Sequence, residues 1–336
     1  MIRSLALPLL FTLLLPLSGY CSQLRGPRDT REDPDVEEAR QKMFALLLPQ
    51  DEKGFVRLEG KPKPGEWLWF YKETPQSLQR YQMQTRARPA PERRTFVLQP
   101  LGEIEVSRLA VLEKMREYAE IFFQVPARIQ KPIPLDVPGE VLFKNVPIGN
   151  RHGKYDKQFN GDKIIDALLA KHIPEDALVY IGVTSEDLFA IGTTFVFGVA
   201  SLEKRVGVYS LSRFYPEFWG IQSQPGDEIT ALRRACKLLN HESGHMFGIT
   251  HCVFYRCSMN GSNSLSETDA APMHYCPVCH RKLMWNLEFD AAKRYGQLEK
   301  FYRENRLTPE ADFIKSRVEN WKKVMEAERI QKTAEE

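Results

Sequence analysis

The sequence has little net charge, no internal repeat and no low-complexity tract. Its 47 lysine and arginine residues nearly balance 44 aspartate and glutamate residues, which leaves a formal charge of +3. The two signs are interspersed, whereas a dedicated nucleic-acid binder concentrates basic residues on one face, so no nucleic-acid partner is expected. With 336 residues, 43% of them hydrophobic, the chain can bury a substantial core in one large or two modest domains.

Long apolar runs are also scarce, and the clearest one lies at the N-terminus. Residues 1–20, "MIRSLALPLLFTLLLPLSGY", combine Arg3, an apolar run from Leu5 to Leu17 and small residues after it. This layout predicts a secretory signal peptide, since the run is short for a transmembrane helix; an uncleaved anchor stays open. Lipidation at Cys21 also stays open, although Tyr20 stands where a lipobox has a small residue.

We therefore expect an exported protein, periplasmic or secreted, with no integral membrane span in the mature chain. Residues 21–94 are interpreted as an N-terminal tether and extension, because "CSQLRGPRDTREDPDVEEAR" is charged and poor in large apolar residues. Four aromatic residues in this extension could line a binding face, but core packing is the commoner role of such side chains. They are Trp67, Trp69, Phe70 and Tyr71.

Residues 95–336 are predicted to form one compact domain that alternates strands and helices. The apolar runs at Thr95 to Leu101 and in "DALVYIGVT" predict buried strands. A helix capped by Ser107 is expected after the first of these strands. A second extended segment, "IPLDVPGEVLF", would be followed by a helix in "DKIIDALLAKHIP". Strand, helix, strand, helix, strand is the rhythm of an α/β sheet with helical crossovers.

A hairpin and a long helix are predicted next. "TTFVFGVAS" and "RVGVYSLSRF" are separated by a short polar turn and would pair as antiparallel strands at the sheet edge. The helix runs from about Asp227 to Phe247 and places three residues on its inner face. These are Leu232, Cys236 and Leu239.

The end of this helix carries the first metal-binding pattern. His241 and His245 are four residues apart, so both imidazoles project from one helical face and can reach one ion. Glu242 adjoins them and can accept a proton from a metal-bound water, which is the H-E-x-x-H arrangement of zinc proteases. Gly248, expected with a positive φ, would turn the chain so that His251 supplies the third ligand. The fourth position is left to water.

The cysteines form a second pattern directly after His251. Cys252, Cys257, Cys276 and Cys279 make two close pairs of thiols, which is typical of a closed structural zinc site. Two disulfides are the alternative, because an exported protein meets oxidising conditions. His280 could replace one cysteine but is not needed, and His274 is expected at the surface.

These residues resemble the archaemetzincins, the archaelysin family of zinc peptidases. "HESGHMFGITHCVFYRCSM" followed by "CPVC" is similar to that family's joined histidine and cysteine motifs, and the likeness runs from about Thr95 to Arg306. The resemblance implies a mixed α/β fold with a twisted sheet, a helix carrying the H-E-x-x-H motif and a C-terminal segment bound to zinc by four cysteines. It also implies two zinc ions, one catalytic on the three histidines and one structural. Met259 would form the Met-turn beneath the histidines.

The leading interpretation is a zinc metallopeptidase that acts on a peptide or protein substrate, with Glu242 as general base. A non-catalytic zinc protein that uses the cleft to bind peptides is the alternative from a different class. Arg213 and Tyr215 are candidates for stabilising the oxyanion, from their position in the chain alone. The sequence predicts no oligomer, so a monomer is expected, and cleavage could be internal or from the N-terminus.

Overall fold

The computed structural model describes residues 52–85, 88–146, 156–201 and 203–335, with side chains to residue 323. The predicted signal peptide, the charged tether and Cys21 lie outside these residues. Everything that is described belongs to one compact unit. Within it, no helix has both the length and the apolar character needed to cross a membrane.

A five-stranded mixed sheet forms the centre of the fold. Its order is β2-β1-β5-β8-β7, and β7, at one edge, runs antiparallel to β8 while the other pairs are parallel. The two central strands are the ones predicted from apolar runs, because a strand covered on both faces needs apolar side chains at every position. The strands are β1 (Thr95–Leu101), β2 (Ala127–Ile129), β5 (Ala177–Thr184), β7 (Gly198–Ser201) and β8 (Val206–Ser210).

A smaller sheet has the order β3-β4-β6, with β3 at Phe143–Asn145, β4 at Lys157–Asn160 and β6 at Asp187–Phe189. The extended segment predicted in "IPLDVPGEVLF" contributes only its final phenylalanine to β3. The helix predicted in "DKIIDALLAKHIP" is irregular. One α turn, α4 (Gly161–Lys163), passes into a π turn (Ile164–Leu168) and a 3-10 turn (Leu169–Lys171).

Helices cover the large sheet and bury its apolar side. The helix α3 (Val106–Phe123) buries Met115 and Phe122, and Phe123 stacks on Phe96 of β1 with ring centroids 5.3 Å apart. The prediction of Ser107 as its cap is wrong, because the N-cap position is occupied by Glu105, two residues earlier, and the helix begins at Val106.

The long helix α5 (Asp227–Met246) packs beside α3 and against the edge strand β7. Leu232, Cys236 and Leu239 are buried on it, as their helical spacing predicts. The predicted hairpin of β7 and β8 is confirmed, although β7 is short and residues 193–197 before it are irregular.

The remaining helices surround this core. From the N-terminal extension come α1 (Trp67–Phe70) and α2 (Leu78–Gln84), and α2 packs against the helix at Pro277–Leu287. Tyr81 of α2 is fully buried, and its hydroxyl donates to the carbonyl of Phe247, at the end of α5, at 2.7 Å. The C-terminal helices are α6 (Leu265–Ala270), α7 (Pro277–Leu287), α8 (Ala291–Glu304) and α9 (Thr308–Glu335).

Candidate metal centre and cleft

The three predicted histidines converge at the end of α5. Nε2 of His241 lies 3.1 Å from Nε2 of His245 and 3.3 Å from Nε2 of His251. A tetrahedral zinc ion with Zn–N bonds of 2.0–2.1 Å holds its ligand atoms roughly 3.3 Å apart. The spacing of the three nitrogens therefore fits one zinc ion.

The turn that brings His251 to the other two histidines depends on Gly248. Its φ is +82°, as predicted, a conformation that side chains with a Cβ rarely adopt. A Cβ at this position would also lie 2.6 Å from the hydroxyl oxygen of Thr85, so the glycine lets the turn pack closely on the N-terminal extension.

Each imidazole is oriented through its other nitrogen. Nδ1 of His241 lies 2.9 Å from the carbonyl oxygen of Ser258, and Nδ1 of His245 lies 2.8 Å from that of Ile249. Nδ1 of His251 lies 2.7 Å from a carboxylate oxygen of Glu73. Because these oxygens accept hydrogen bonds, each Nδ1 carries the proton and leaves the Nε2 lone pair for a metal.

The surroundings favour the neutral imidazole that a metal requires. Burial lowers the pKa of His245 to about 4 and, with the neighbouring histidines, holds the pKa of His241 well below its ordinary value. The donor set, its spacing and its protonation thus all suit zinc.

Glu73 is a site residue that the sequence did not reveal. Its carboxylate accepts hydrogen bonds from both His251 and the indole Nε1–H of Trp67, each at 2.7 Å. Trp67 also meets the His251 ring edge-to-face at 4.9 Å. A carboxylate behind a zinc-binding histidine fixes the tautomer and raises the basicity of the ligand, so the extension supplies part of this site. The run "WLWFYKE" was the available signal, but nothing in its spacing points to His251.

The aromatic residues around Trp67 are not core residues, contrary to expectation. Trp69, Phe70 and Tyr71 are each about half exposed, at 55, 62 and 49%. Tyr71 stacks on Trp67 at 4.1 Å and contributes to the wall of the cleft described below. Of the four aromatic residues of the extension, Tyr71 therefore lies where a binding face would be.

Glu242 follows His241 in the chain and packs close to the edge strand. A Cβ added to Gly198 of β7 would lie 3.3 Å from Cγ of Glu242, so the strand can approach only because it has a glycine there. Burial raises the pKa of the Glu242 carboxyl to about 7. A carboxyl with a pKa near neutrality can both accept and return a proton.

Met259 occupies the space beneath the histidine-bearing helix. The side chain is fully buried, and a Cβ added to Gly244, between His241 and His245 in the chain, would overlap its sulfur atom. Its backbone carbonyl accepts a hydrogen bond from the N–H of Cys252 at 2.8 Å. This methionine therefore joins the underside of the histidine centre to the start of the cysteine cluster.

The four predicted cysteines form a compact, closed cluster. Their sulfur atoms all lie within 4.8 Å of one another, and the Cys252 and Cys276 sulfurs are 3.6 Å apart. Tetrahedral Zn–S bonds of 2.3 Å would separate sulfurs by roughly 3.8 Å. All four are reduced, and hydrogen bonds from the other three thiols hold the pKa of Cys252 well below its ordinary value.

The loop between the first two cysteines is braced by one side chain. Asn260 accepts from the N–H of Cys257 at 2.8 Å and donates to the carbonyls of Cys252 and Tyr255.

His280 is not in the cluster. The prediction of His274 at the surface is wrong, because its ring stacks on Phe313 of α9 at 3.8 Å.

A cleft of about 440 Å³ opens beside His241 and Glu242. One wall is residues 192–198, leading into β7, and the other is the polar loop after Met259. The floor is the outer face of α5, at Lys237, Leu238 and His241.

Neither candidate for oxyanion stabilisation lines this cleft. Arg213 is buried in a two-point ion pair with Asp187, at 2.6 and 2.8 Å. Tyr215 lies beneath the guanidinium of Arg108, 4.7 Å from its ring centroid. Both side chains are therefore engaged in packing the end of the sheet.

Comparisons with known proteins identify a family and several relatives. Residues 110–285 match the model of peptidase family M54. Archaemetzincin-2 of Macaca fascicularis is 30% identical over 295 residues, covering 80% of this chain and 79% of the relative. The archaemetzincin of Thermococcus kodakarensis is 41% identical over 150 residues, covering 45% of this chain and 78% of the relative. A crystal structure of an archaemetzincin from Methanopyrus kandleri aligns with a TM-score of 0.44 at 25% identity, over 60% of this chain and 99% of that one.

Proposed function

The chain belongs to peptidase family M54 and is a zinc-dependent metallopeptidase, and from that premise we propose where and how it cleaves peptide bonds. The catalytic zinc is assigned to His241, His245 and His251, and the general base to Glu242. The observation that carries this assignment is the convergence of three Nε2 atoms whose Nδ1 atoms are all committed to acceptors.

Zinc bound there would supply a polarised, acidified water and a positive charge for the developing oxyanion. Glu242 would accept the proton of this water as its oxygen attacks the carbonyl carbon of the peptide. The same carboxyl would then pass the proton to the amide nitrogen as the C–N bond breaks, so that one carboxylic acid and one amine leave. A carboxyl pKa of about 7 supports both halves of that role.

A second, structural zinc is proposed on Cys252, Cys257, Cys276 and Cys279. Its support is the closed geometry of four buried, reduced thiols at distances that suit Zn–S bonds. Two disulfides are the competing arrangement. Metal analysis separates the two, because two zinc ions per chain fit the proposal and one ion with four oxidised cysteines contradicts it.

The assignment of the base is tested with zinc-loaded protein and a broad peptide library. Glu242→Ala should retain zinc and the fold but lose cleavage, because the metal ligands are untouched. Equal cleavage by the variant and the parent would remove Glu242 from the mechanism. Binding without cleavage by the parent would instead favour a peptide-binding protein.

The cellular setting is a separate proposal that rests on sequence. We propose that the chain is exported and acts as a monomer, with residues 95–336 as the peptidase domain and residues 21–94 as a tether and extension. Sequencing the N-terminus of the mature protein from its natural source, with mass analysis for a lipid on Cys21, tests the first part. A retained Met1 would contradict removal of a signal peptide.

A further inference from the structure

The cleft extends past the histidines to a buried lysine one turn earlier on α5. Lys237 lines the cleft and is only 6% exposed. Residues four apart on a helix are separated by about one 5.4 Å turn, so a group beside Lys237 adjoins the bond held at His241. The end of α6 covers the ammonium group.

This ammonium group has donor capacity to spare. Its Nζ donates to the carbonyls of Thr268 and Asp269, at 3.1 and 2.7 Å. An ammonium group carries three N–H donors, and among the described residues no acceptor takes the third. A positive charge that is held by two neutral carbonyls and one open direction is suited to receive an anion.

Charges near Lys237 are already paired with other residues. The carboxylate of Asp269 accepts two hydrogen bonds from Arg234, at 2.9 and 2.7 Å, and that of Glu310 accepts from Arg233 at 2.7 Å. Burial lowers the pKa of Lys237 to about 8, so the ammonium form still predominates at neutral pH. Among the described cleft residues, Lys237 is the only lysine or arginine and Glu242 is the only acidic residue.

Two further polar side chains in the wall have unused capacity. The Nδ2 of Asn263 and the hydroxyl of Ser258 are buried and have no hydrogen-bond partner among the described residues, and both residues line the cleft. An unpaired buried donor destabilises the fold, so native proteins seldom keep one without a use. An amide N–H and a hydroxyl are both donors to an oxyanion.

We propose that this end of the cleft binds a carboxylate of the substrate, next to the peptide bond that is cleaved. The inference rests on the proposed function, because the histidine centre defines where that bond lies. A glutamate or aspartate side chain fits, because a carboxylate only accepts hydrogen bonds and brings a negative charge that can pair with the ammonium group of Lys237. A glutamine would offer the ammonium only one neutral acceptor oxygen, and an apolar side chain would leave the charge desolvated. A free C-terminal carboxylate has the same chemistry and is distinguished by the experiment.

The test compares matched peptides on zinc-loaded protein. Each pair differs by glutamate against glutamine, at the position before or after the scissile bond, with the C-terminus amidated. We expect kcat/KM to favour glutamate at least tenfold at one of these positions. Lys237→Met should reduce that ratio to less than about threefold, whereas Lys163→Met, at an exposed lysine outside the cleft, should preserve it. A ratio taken within one variant cancels any general loss of folded enzyme.

Binding gives a readout that does not depend on turnover. The zinc-loaded Glu242→Ala protein, with and without Lys237→Met, is titrated with fluorescently labelled versions of the same amidated peptides. Labelled glutamine peptides that end in a free carboxylate are titrated in parallel. A glutamate preference that disappears with Lys237→Met supports a side-chain carboxylate. A preference for the free terminus that disappears in the same variant supports the terminal one.

Equal binding and cleavage of all pairs, or a preference that survives Lys237→Met, would overturn the inference while leaving the proposed function intact. Peptides that are neither bound nor cleaved by zinc-loaded protein would overturn the proposed function and the inference together.

Discussion

The histidine cluster ends at His251 and the cysteine cluster begins at the next residue, Cys252, yet the two clusters differ in how far their side chains are exposed to solvent. In both clusters the donor atoms lie within 4.8 Å of one another. The three histidines are half-buried and His241 lines the cleft, whereas the cysteines are at most 3% exposed. A site that must admit water and substrate needs an open position, and a site that joins chain segments needs none.

The supports of the two clusters differ in the same way. The cysteine loop is held by near neighbours, chiefly Asn260 and the N–H of Cys276, which donates to the Cys257 sulfur at 3.2 Å. Among the histidines, His245 and His241 are held by carbonyls 4 and 17 residues away, but His251 is held by Glu73 of the extension, 178 residues away. The closed cluster should therefore fail by unfolding, and the open one by losing metal or activity while the fold persists.

The largest effect is expected from Cys257→Ser, which should prevent stable folding. Binding of a structural zinc is worth about 10–16 kcal/mol in small zinc-binding peptides, which is as large as the whole stability of a typical domain, about 5–15 kcal/mol. The matched control is Cys236→Ser, which alters an equally buried cysteine of α5 outside the cluster and should cost about 1–3 kcal/mol. Thermal unfolding with zinc analysis measures both, and equal losses would argue against a structural metal.

Glu242→Gln should sharpen the contrast by removing chemistry without removing structure. We expect kcat/KM to fall by a factor of about 10²–10⁴, with the fold and zinc content unchanged.

The free energy of unfolding of the metal-free protein gives a second signature of Glu242. The pKa of Glu242 is raised from 4.5 to about 7 on folding, so the folded parent binds the extra proton between these values. Its stability should fall relative to the variant as pH rises through that window.

A stability profile that runs parallel in parent and variant would show that Glu242 is not buried as described. Loss of zinc from the variant would show that this carboxylate holds the metal rather than the water.

An intermediate effect is expected from Glu73→Gln. Losing the charge behind His251 should weaken zinc binding at the histidines about 10- to 100-fold and leave the cysteine cluster loaded. The control is Glu59→Gln, at an exposed glutamate of the same extension. Competition with a graded chelator measures the affinity, and equal zinc affinity in Glu73→Gln and the control would contradict a role for the extension in the site.

The parts of the site that could be predicted are those written in local spacing. His241 and His245 are one helical turn apart, so they lie on one face of the helix. Gly248 stands where the chain needs a positive φ to reverse, so the position of His251 beside them could also be predicted. The central strands were predictable for a similar reason, since strands buried on both faces are continuous apolar runs.

What could not be predicted depends on contacts between distant segments. Glu73 reaches His251 across a sequence separation of 178 residues, and no periodicity relates them. His274 is covered because α9, which follows it by more than 30 residues, places Phe313 against its ring. The prediction that the aromatic residues at 69–71 lie in the core is wrong because burial is only a preference of the residue type, and here they are exposed, with Tyr71 lining the cleft.

The smallest effect is expected from Met259→Leu, at the point where the two clusters touch. Leucine keeps nearly the volume of methionine, so the free energy of unfolding should fall by less than about 1.5 kcal/mol. The branched side chain cannot follow the narrow space that Gly244 leaves, so it should also move the Ser258 carbonyl that holds His241. Met284→Leu, at a buried methionine of α7 away from both clusters, should cost similar stability but leave zinc affinity unchanged. If Met259→Leu weakens zinc at the histidines by a fewfold and the control does not, the methionine acts by positioning the ligands. Equal zinc affinity in the two variants would reduce Met259 to ordinary packing and make the clusters independent.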